Sequence, residues 1–264
     1  MAVFTDLSEN DCAEIADAFR LGALTSVIGI ADGDAETTFL FRAERGEFIV
    51  TLFETGAGPD DLEQAFRTME TLAAAGVPCP STCRTETGAA TIDVSGKLAA
   101  VVGFLPGSCA GEVTAEKCRS LGATTALLHH TLARRAKGRG SLLPTGAVHG
   151  ALGRDNVFFV GEAVSGIINF RLRHDDVLVA ELADLLVGWT AREDGMLVAE
   201  LSRALLTGYE EVRPLLALER RSLPAFVMAA TAASLAQVDR SAEVEVNAVR
   251  AHLSARALLE GGAS

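Results

Sequence analysis

The chain has 264 residues, of which 49% are hydrophobic, so it can bury one large core or two modest lobes. Its formal net charge of −12 argues against a nucleic-acid or anionic-membrane partner, because either would need clustered Lys and Arg. No apolar run approaches the roughly 18 residues of a membrane span, no secretory-signal pattern opens the sequence, and the five scattered cysteines indicate reduced thiols, so we expect a cytoplasmic protein.

The first part of the chain has the pattern of a small sheet with helices. Leu7, Ile15 and Phe19 recur at helical spacing, and strand-type runs follow, separated by turn-forming residues at 31–34 and 44–46. The predicted elements are a helix, three strands, a helix and two strands, at residues 6–20, 25–30, 37–43, 47–54, 59–75, 89–94 and 97–104. Such short turns favour antiparallel pairing of the strands.

The second part of the chain is mostly helical. Helices are predicted at residues 114–135, 177–190, 194–209, 211–218, 222–238 and 242–259. Between the first and second of them lies a polar loop followed by a β-hairpin, at 148–170. The later helices carry Ala, Leu or Val on more than one face, which predicts that they are well buried.

The loop and hairpin carry the most specific motif in the sequence. They read Val148-His149-Gly150-Ala151-Leu152-Gly153-Arg154-Asp155-Asn156 before the first strand and Gly166-Ile167-Ile168-Asn169-Phe170 at the end of the second. This arrangement resembles the catalytic segment of type II homoserine kinases and of the aminoglycoside phosphotransferase superfamily. Phe48–Glu54 and Ala75–Pro80 resemble further segments of these proteins, so the resemblance extends over most of the chain.

The resemblance implies an α+β, two-lobed, protein-kinase-like fold with an antiparallel-sheet N-lobe and a helical C-lobe. Phe104-Leu105-Pro106-Gly107 resembles the hinge between the lobes. We therefore place the domain boundary near residue 106, with an N-lobe of residues 1–106 and a C-lobe of residues 107–264 that carries the catalytic-type loop at 148–170.

The resemblance also identifies the candidate site. The family's catalytic Asp falls on Ala151 and its metal-binding Asp on Asn169, while Asn156 matches its second metal ligand. Ala151 can supply neither a base nor a ligand, so efficient ATP-dependent transfer is not expected, and we predict no bound metal. His149 is either a general base in a repurposed site or a structural residue of the loop. The candidate surrogates for the lost carboxylate are Asp155, or Asp175 and Asp176, which otherwise read as the N-terminal charge of the next helix.

Three more features follow from the same resemblance. His129-His130 in the long helix looks like a family element whose His either supports the loop from behind or acts as a ligand, and the supporting role is favoured. Glu181 is the nearest match to an Asp that holds the loop, and its side chain is one methylene longer. Only residues 133–147 connect the long helix to the loop, where the family usually inserts several helices. This short connection predicts that one wall of the amino-acid pocket is missing.

The candidate nucleotide-binding residues are Glu36, Thr37 and Thr38 in the first hairpin and Thr51 on the third strand, and they apply only if a nucleotide binds. Two aspartates between the first and second strands, Asp32 and Asp34, add negative charge that repels phosphate. We therefore predict that no cofactor is bound, and assign ATP and Mg²⁺ only to the alternative function below.

The leading hypothesis is a homoserine-kinase-like protein that has lost ordinary ATP/Mg²⁺ phosphotransfer. It would use the cleft between the lobes for a small, relatively apolar molecule, as a repurposed enzyme or a binder. One alternative is an atypical ATP-dependent kinase for a homoserine-like or amino-alcohol-like substrate, and another is a non-catalytic pseudokinase that binds a partner. A small-molecule ligand is predicted, no nucleic acid or membrane is, and a homodimer or protein partner is left open.

Overall fold

The computed structural model describes residues 5–32, 35–133, 142–237 and 244–260. The chain divides into two compact units, one with the residues up to Ala74 and Cys79–Leu105, the other with Ala75–Pro78 and the chain from Pro106 onward. A single boundary near residue 106 would leave Ala75–Pro78 in the first unit. This segment joins the second unit, where the Pro78 carbonyl accepts a hydrogen bond from the Ile167 N–H at 2.9 Å.

The first unit is an antiparallel sheet with two helices. Its elements are α1 (Glu9–Ala18), β1 (Leu24–Asp32), β2 (Glu36–Ala43), β3 (Gly46–Phe53), α2 (Pro59–Ala74), β4 (Thr91–Val94) and β5 (Lys97–Gly103). The strand order is β1-β2-β3-β5-β4, with every neighbouring pair antiparallel. Ser8 begins α1 by a reciprocal capping box with Asp11, so the helix starts later than the predicted residue 6.

One face of this sheet forms the core of the first unit. Thr37, Phe39 and Phe41 of β2 are buried, and the residues between them are partly exposed. Phe39 and Phe41 belong to the same buried cluster as Ile15 and Phe19 from the α1 segment. Because successive side chains of a strand point to opposite faces, this alternation places Thr37 inside and Thr38 on the other face.

The second unit is mostly helical, with three short sheet segments. Its elements are β6 (Ser108–Cys109), α3 (Ala115–Leu132), β7 (Thr145–Val148), β8 (Val157–Val160), β9 (Ala163–Ile167), a 3-10 turn (Phe170–Leu172), β10 (His174–Val177), α4 (Leu178–Thr190), α5 (Ala199–Val212), α6 (Ala217–Gln237) and α7 (Val244–Glu260). The predicted α+β class is confirmed. Among the helices of the described ranges, none is long and apolar enough to cross a bilayer.

The separate helix predicted at 211–218 is wrong. α5 continues to Val212, and α6 begins at Ala217, five residues before the predicted start at 222. The Glu219 carboxylate accepts a hydrogen bond from the Leu216 N–H at 3.0 Å, which stabilises the beginning of α6 at this earlier point. Pro224 consequently lies inside α6 rather than near its start.

Two glycines allow α3 and α5 to approach closely. A Cβ atom on Gly122 would lie 2.1 Å from the Leu205 carbonyl oxygen, and one on Gly208 would lie 2.0 Å from the Arg119 carbonyl oxygen. No side chain fits at either position without moving a backbone. The glycine pair thus packs the first half of α3 against the second half of α5.

Candidate active site

The loop of the candidate site is fixed at both ends by strands of the second unit. β7 ends at Val148 and pairs with β10, while β8 begins at Val157 and pairs with β6 and β9. Gly150 has a φ of +81°, a backbone conformation that residues other than glycine rarely adopt. The chain therefore turns sharply after His149.

His149 is hydrogen-bonded through both ring nitrogens and is only 1% exposed. Its Nδ1 accepts a hydrogen bond from the Ala151 N–H at 3.2 Å, and its Nε2 lies 2.8 Å from the Ile168 carbonyl oxygen. Because a carbonyl can only accept, Nε2 carries the proton and the ring is neutral. Burial lowers the pKa of His149 below its ordinary value. This geometry favours a positioning role, and the catalytic role assigned from the sequence stays a prediction.

Asn156 links the two sides of the site. Its side-chain Nδ2 donates to the Ala151 carbonyl oxygen at 2.8 Å, and its backbone carbonyl oxygen accepts from the Ile168 N–H at 3.0 Å. With the bond from His149, both backbone polar groups of Ile168 are engaged. The next residue, Asn169, is therefore held in a defined position relative to the loop. The amide oxygen of Asn156 is the atom that remains for a ligand.

Ala151 and Asn169 occupy the two positions where the predicted chemistry requires carboxylates. Ala151 is partly exposed, and its backbone N–H and carbonyl are bound by His149 and Asn156. Asn169 is exposed and has φ +70° and ψ +42°, a left-handed conformation that Asn tolerates better than most residues. The backbone at Ala151 is thus held on both sides, at the position where the resemblance predicts the family's base.

α4 supports the loop from behind through two side chains. The Glu181 Oε1 accepts the Gly150 N–H at 2.6 Å, and the Trp189 Nε1 donates to the Leu152 carbonyl at 2.8 Å. Glu181 does hold the loop, despite its additional methylene. Burial would raise the pKa of Glu181, but hydrogen bonds from His129 and Gly150 keep the pKa below its ordinary value. The contribution of Trp189 was not recognised from the sequence, where a single Trp in an apolar helix indicates only burial.

A buried hydrogen-bonded chain continues behind Glu181. The His129 Nε2 lies 2.7 Å from the Glu181 Oε2, and its Nδ1 lies 2.7 Å from the Tyr209 hydroxyl. Arg213 donates to that hydroxyl at 3.0 Å and to the Glu219 Oε1 at 2.8 Å. The position of His129 behind the loop agrees with the resemblance. Tyr209, Arg213 and Glu219 were not identified from the sequence, because they lie about 80–90 residues beyond His129.

The candidate surrogate carboxylates flank the hairpin: Asp155 directly precedes Asn156, and Asp175 and Asp176 follow Asn169. Asp155 is an exposed loop residue. Asp175 and Asp176 lie in β10, where they pair in register with Ala147 and Gly146 of β7 rather than in the first turn of α4. The predicted connection of residues 133–147 is closed at its base by a bridge between Ala133 and Gly146, and residues 134–141 lie outside the described ranges.

The candidate nucleotide residues of the first unit lie in strands. Glu36, Thr37 and Thr38 begin β2. The Thr37 hydroxyl is buried and donates to the Glu54 Oε1 at 2.8 Å, so it faces the core. Thr38 pairs directly with Thr51 of β3, which puts both on the opposite, partly exposed face. Asp32 ends β1, and Asp34 lies outside the described residues.

The fold and the loop together define a kinase-like protein. The profile of the phosphotransferase enzyme family matches residues 26–143 and 132–215. The homoserine kinase of Xanthobacter autotrophicus is 34% identical over 266 residues, which covers 85% of this chain and 83% of that enzyme. The chain therefore belongs to the phosphotransferase enzyme family, in the branch of the homoserine kinases.

Solved structures agree on the fold. An aminoglycoside phosphotransferase from Alicyclobacillus acidocaldarius has a TM-score of 0.72 at 13% identity, covering 98% of this chain and 97% of that one. A spectinomycin phosphotransferase, solved in complex with ADP and spectinomycin, has a TM-score of 0.60 at 9% identity, covering 98% and 96%. The predicted aminoglycoside-phosphotransferase-like fold is confirmed.

The prediction that no cofactor is bound is wrong. Homologues that are homoserine kinases and phosphotransferases imply the use of ATP and Mg²⁺, and one structural neighbour holds ADP. The loss of two carboxylates does not by itself exclude a nucleotide, because nucleotide recognition rests on many more groups than those two. Across the described residues, no group of three or more His, Cys, Asp or Glu side chains is arranged to hold a metal ion.

The site still offers oxygen ligands for Mg²⁺. The amide oxygens of Asn156 and Asn169 are of the hard type that Mg²⁺ prefers. Nδ2 of Asn156 is fixed on the Ala151 carbonyl, which turns the amide so that its oxygen remains for a ligand. Both ligands are neutral, so the phosphates of a nucleotide must supply the negative charge. The donor set fits a Mg²⁺ ion that arrives with a nucleotide and keeps several waters.

Proposed function

We propose that the chain is a homoserine-kinase-like protein that binds Mg·ATP and transfers the γ-phosphoryl group to a small hydroxyl substrate at a strongly reduced rate. The substrate class is an amino alcohol such as homoserine, the substrate in the name of its relatives. The observation that carries the proposal is the loop itself. Its backbone is held by His149, Asn156 and Glu181, while position 151 has no base.

The division of roles follows from the contacts. Asn156 and Asn169 would hold Mg²⁺, which when bound neutralises charge on the transferred phosphoryl group. His149 and Glu181 position the loop, because their side chains are hydrogen-bonded to protein groups around it. With Ala151 in place of a base, the substrate hydroxyl loses its proton to solvent, and such a loss slows transfer by about 10²–10⁴-fold.

A second candidate function is a repurposed enzyme or binder that holds a less charged small molecule. What favours it is the charge of the site, since Ala151 and Asn169 both replace carboxylates with neutral side chains. A less negative site accepts an apolar ligand at a lower desolvation cost. The cleft between the lobes, the small-molecule ligand, and the absence of nucleic-acid or membrane partners stay predictions, and a homodimer or protein partner stays open.

Calorimetric titration with ATP, with and without Mg²⁺, tests nucleotide binding, and coupled ADP release with homoserine tests transfer. We expect Mg²⁺-dependent binding with a dissociation constant below about 1 mM and slow ADP release that homoserine stimulates. The absence of ATP binding at millimolar Mg²⁺ would overturn the proposal. ATP binding with no homoserine-stimulated turnover would favour the second candidate.

A further inference from the structure

We propose that Tyr209 and Arg213 are positioning residues for the catalytic-type loop, acting through His129 and Glu181. The hydrogen-bonded chain runs from Glu219 through Arg213, Tyr209, His129 and Glu181 to the Gly150 N–H. It joins the α5–α6 junction to the turn that presents Ala151. For its catalytic consequence the inference rests on the proposed function, whereas its structural consequence can be measured without nucleotide.

One assignment of protons satisfies every hydrogen bond in this series. A guanidinium has no acceptor, so Arg213 donates to the Tyr209 oxygen. The Tyr209 hydroxyl proton then goes to Nδ1 of His129, which leaves Nε2–H to donate to the Glu181 carboxylate. Every member of the chain is satisfied by one neutral tautomer of His129.

Burial makes this chain sensitive to the loss of a single member. Tyr209 and His129 are fully buried, Glu181 is 4% exposed, and the Arg213 side chain is 13% exposed. In such surroundings an unpaired donor or acceptor has no water to replace its partner. Without the Tyr209 hydroxyl, Nδ1 of His129 has no donor. The hydrogen bond that fixes the tautomer and orientation of the ring, and so places its Nε2–H on Glu181, is then lost.

The closeness of α3 and α5 explains how residues distant in sequence form one chain. Gly122 and Gly208 bring the two helix backbones together, and the His129 and Tyr209 rings meet edge to face with centroids 5.7 Å apart. Arg213, one turn beyond Tyr209, reaches both the hydroxyl and the first turn of α6. The loop is therefore supported from two helices, α4 directly and α5 through His129.

The test compares Tyr209→Phe with Ser202→Ala. Each variant removes one buried, hydrogen-bonded hydroxyl group from α5. The Ser202 hydroxyl is bonded to Thr190 of α4 at 2.7 Å and is not a member of the hydrogen-bonded chain from Glu219 to Gly150. We expect Tyr209→Phe to raise the exchange rate of the Gly150 amide about tenfold, and to shift the ¹⁵N resonance of His129 Nδ1. Ser202→Ala should leave both signals unchanged.

Arg213→Met provides the second variant in case Tyr209→Phe does not fold. Its expected effect on Gly150 exchange is smaller, about threefold, because the bond from Tyr209 to His129 remains. A Gly150 amide unchanged in the variants that fold would overturn the inference, as would equal acceleration in Ser202→Ala. None of these measurements needs nucleotide, so a failure of the proposed function leaves their outcome interpretable.

Discussion

The back and the front of the candidate loop differ sharply. Behind it, Glu181 and Trp189 of α4 bind the backbone of Gly150 and Leu152, and a buried hydrogen-bonded chain continues to Glu219. At the front, Ala151 carries no functional group. Positioning and chemistry are therefore carried by separate residues in this fold, and one can change while the other stays.

Because of this difference, a resemblance to kinases predicts the fold but does not predict the rate of phosphoryl transfer. The back of the loop contributes to stability as well as position, because its donors and acceptors are buried and would be costly to leave unpaired. The front contributes little to stability, so a substitution such as Ala151 leaves the backbone intact. The predictions below either restore the front or damage the back.

Restoring the base should have the largest effect. Ala151→Asp returns a carboxylate to the position of the family's catalytic Asp, between backbone groups that are already held by His149 and Asn156. We expect homoserine-stimulated ADP release to rise about 10²–10⁴-fold, since that is the usual contribution of a positioned base. Steady-state kinetics with a coupled assay measures it.

Gly153→Asp is the matched control for that gain. It adds the same charge to the same loop, at an exposed position where a Cβ atom meets nothing within 4 Å. We expect no increase in rate from it. Equal gains from the two variants would show that added negative charge, not the position of the base, limits the reaction.

Damage to the back of the loop should act on stability. Glu181→Ala leaves the Gly150 N–H and the His129 Nε2–H without their acceptor. The unsatisfied His129 donor is buried, whereas Gly150 is exposed and water can replace its acceptor, so the free energy of unfolding should fall by about 1–3 kcal/mol. Urea denaturation measures this change. Glu260→Ala, which breaks an exposed pair with Arg256, should cost less than about 1 kcal/mol, and equal losses would contradict the assignment.

Sequence reasoning found the front of the loop better than its back. Ala151, Asn156 and Asn169 could be identified because they lie in one short motif with fixed spacing. The partnership of His129 with Tyr209 could not be predicted, since it depends on how closely α3 approaches α5. Periodicity locates a helix but does not give its neighbours.

The fold shows the same division between local and distant information. The β2–β3 hairpin was predicted within a residue of its observed ends, because turn chemistry and strand alternation are local signals. The helix predicted at 211–218 was wrong because the chain turns between Val212 and Ala217. The start of α6 at Ala217 depends on the hydrogen bond from the Leu216 N–H to the Glu219 carboxylate. The prediction that no cofactor is bound was wrong because it rested on Ala151 and Asn169 alone, whereas the family match covers most of the chain.

Restoring the second carboxylate should have a smaller effect than restoring the base. Asn169 already has a left-handed backbone that Asp also tolerates, so Asn169→Asp requires no rearrangement. We expect the affinity for Mg²⁺ in the presence of ATP to rise about tenfold to a hundredfold, because a neutral ligand becomes an anionic one. Titration calorimetry at fixed ATP measures it. Asp155→Asn should change the affinity little, and loss of Mg²⁺ binding in that variant would make Asp155 the metal ligand instead.

The smallest effect concerns the pH dependence of stability and tests whether His149 belongs to the back of the loop. Burial lowers the pKa of His149 below 6.5 in the folded state. The unfolded chain therefore takes up a proton near pH 6.5 that the folded protein does not. Stability should be fully present above that pH and should fall as the pH drops toward the folded pKa, by at most about 1.4 kcal/mol per pH unit.

His149→Gln removes the titration while keeping an N–H donor for the Ile168 carbonyl. Urea denaturation between about pH 5 and 7.5 should give a shallower slope for this variant than for the unaltered protein. His174→Gln is the control for replacing a histidine outside the loop, at a side chain that is 54% exposed. Equal slopes for His149→Gln and the unaltered protein would mean that the ring is protonated as readily in the folded state as in the unfolded one. That outcome would contradict the neutral, buried ring on which the positioning role of His149 rests.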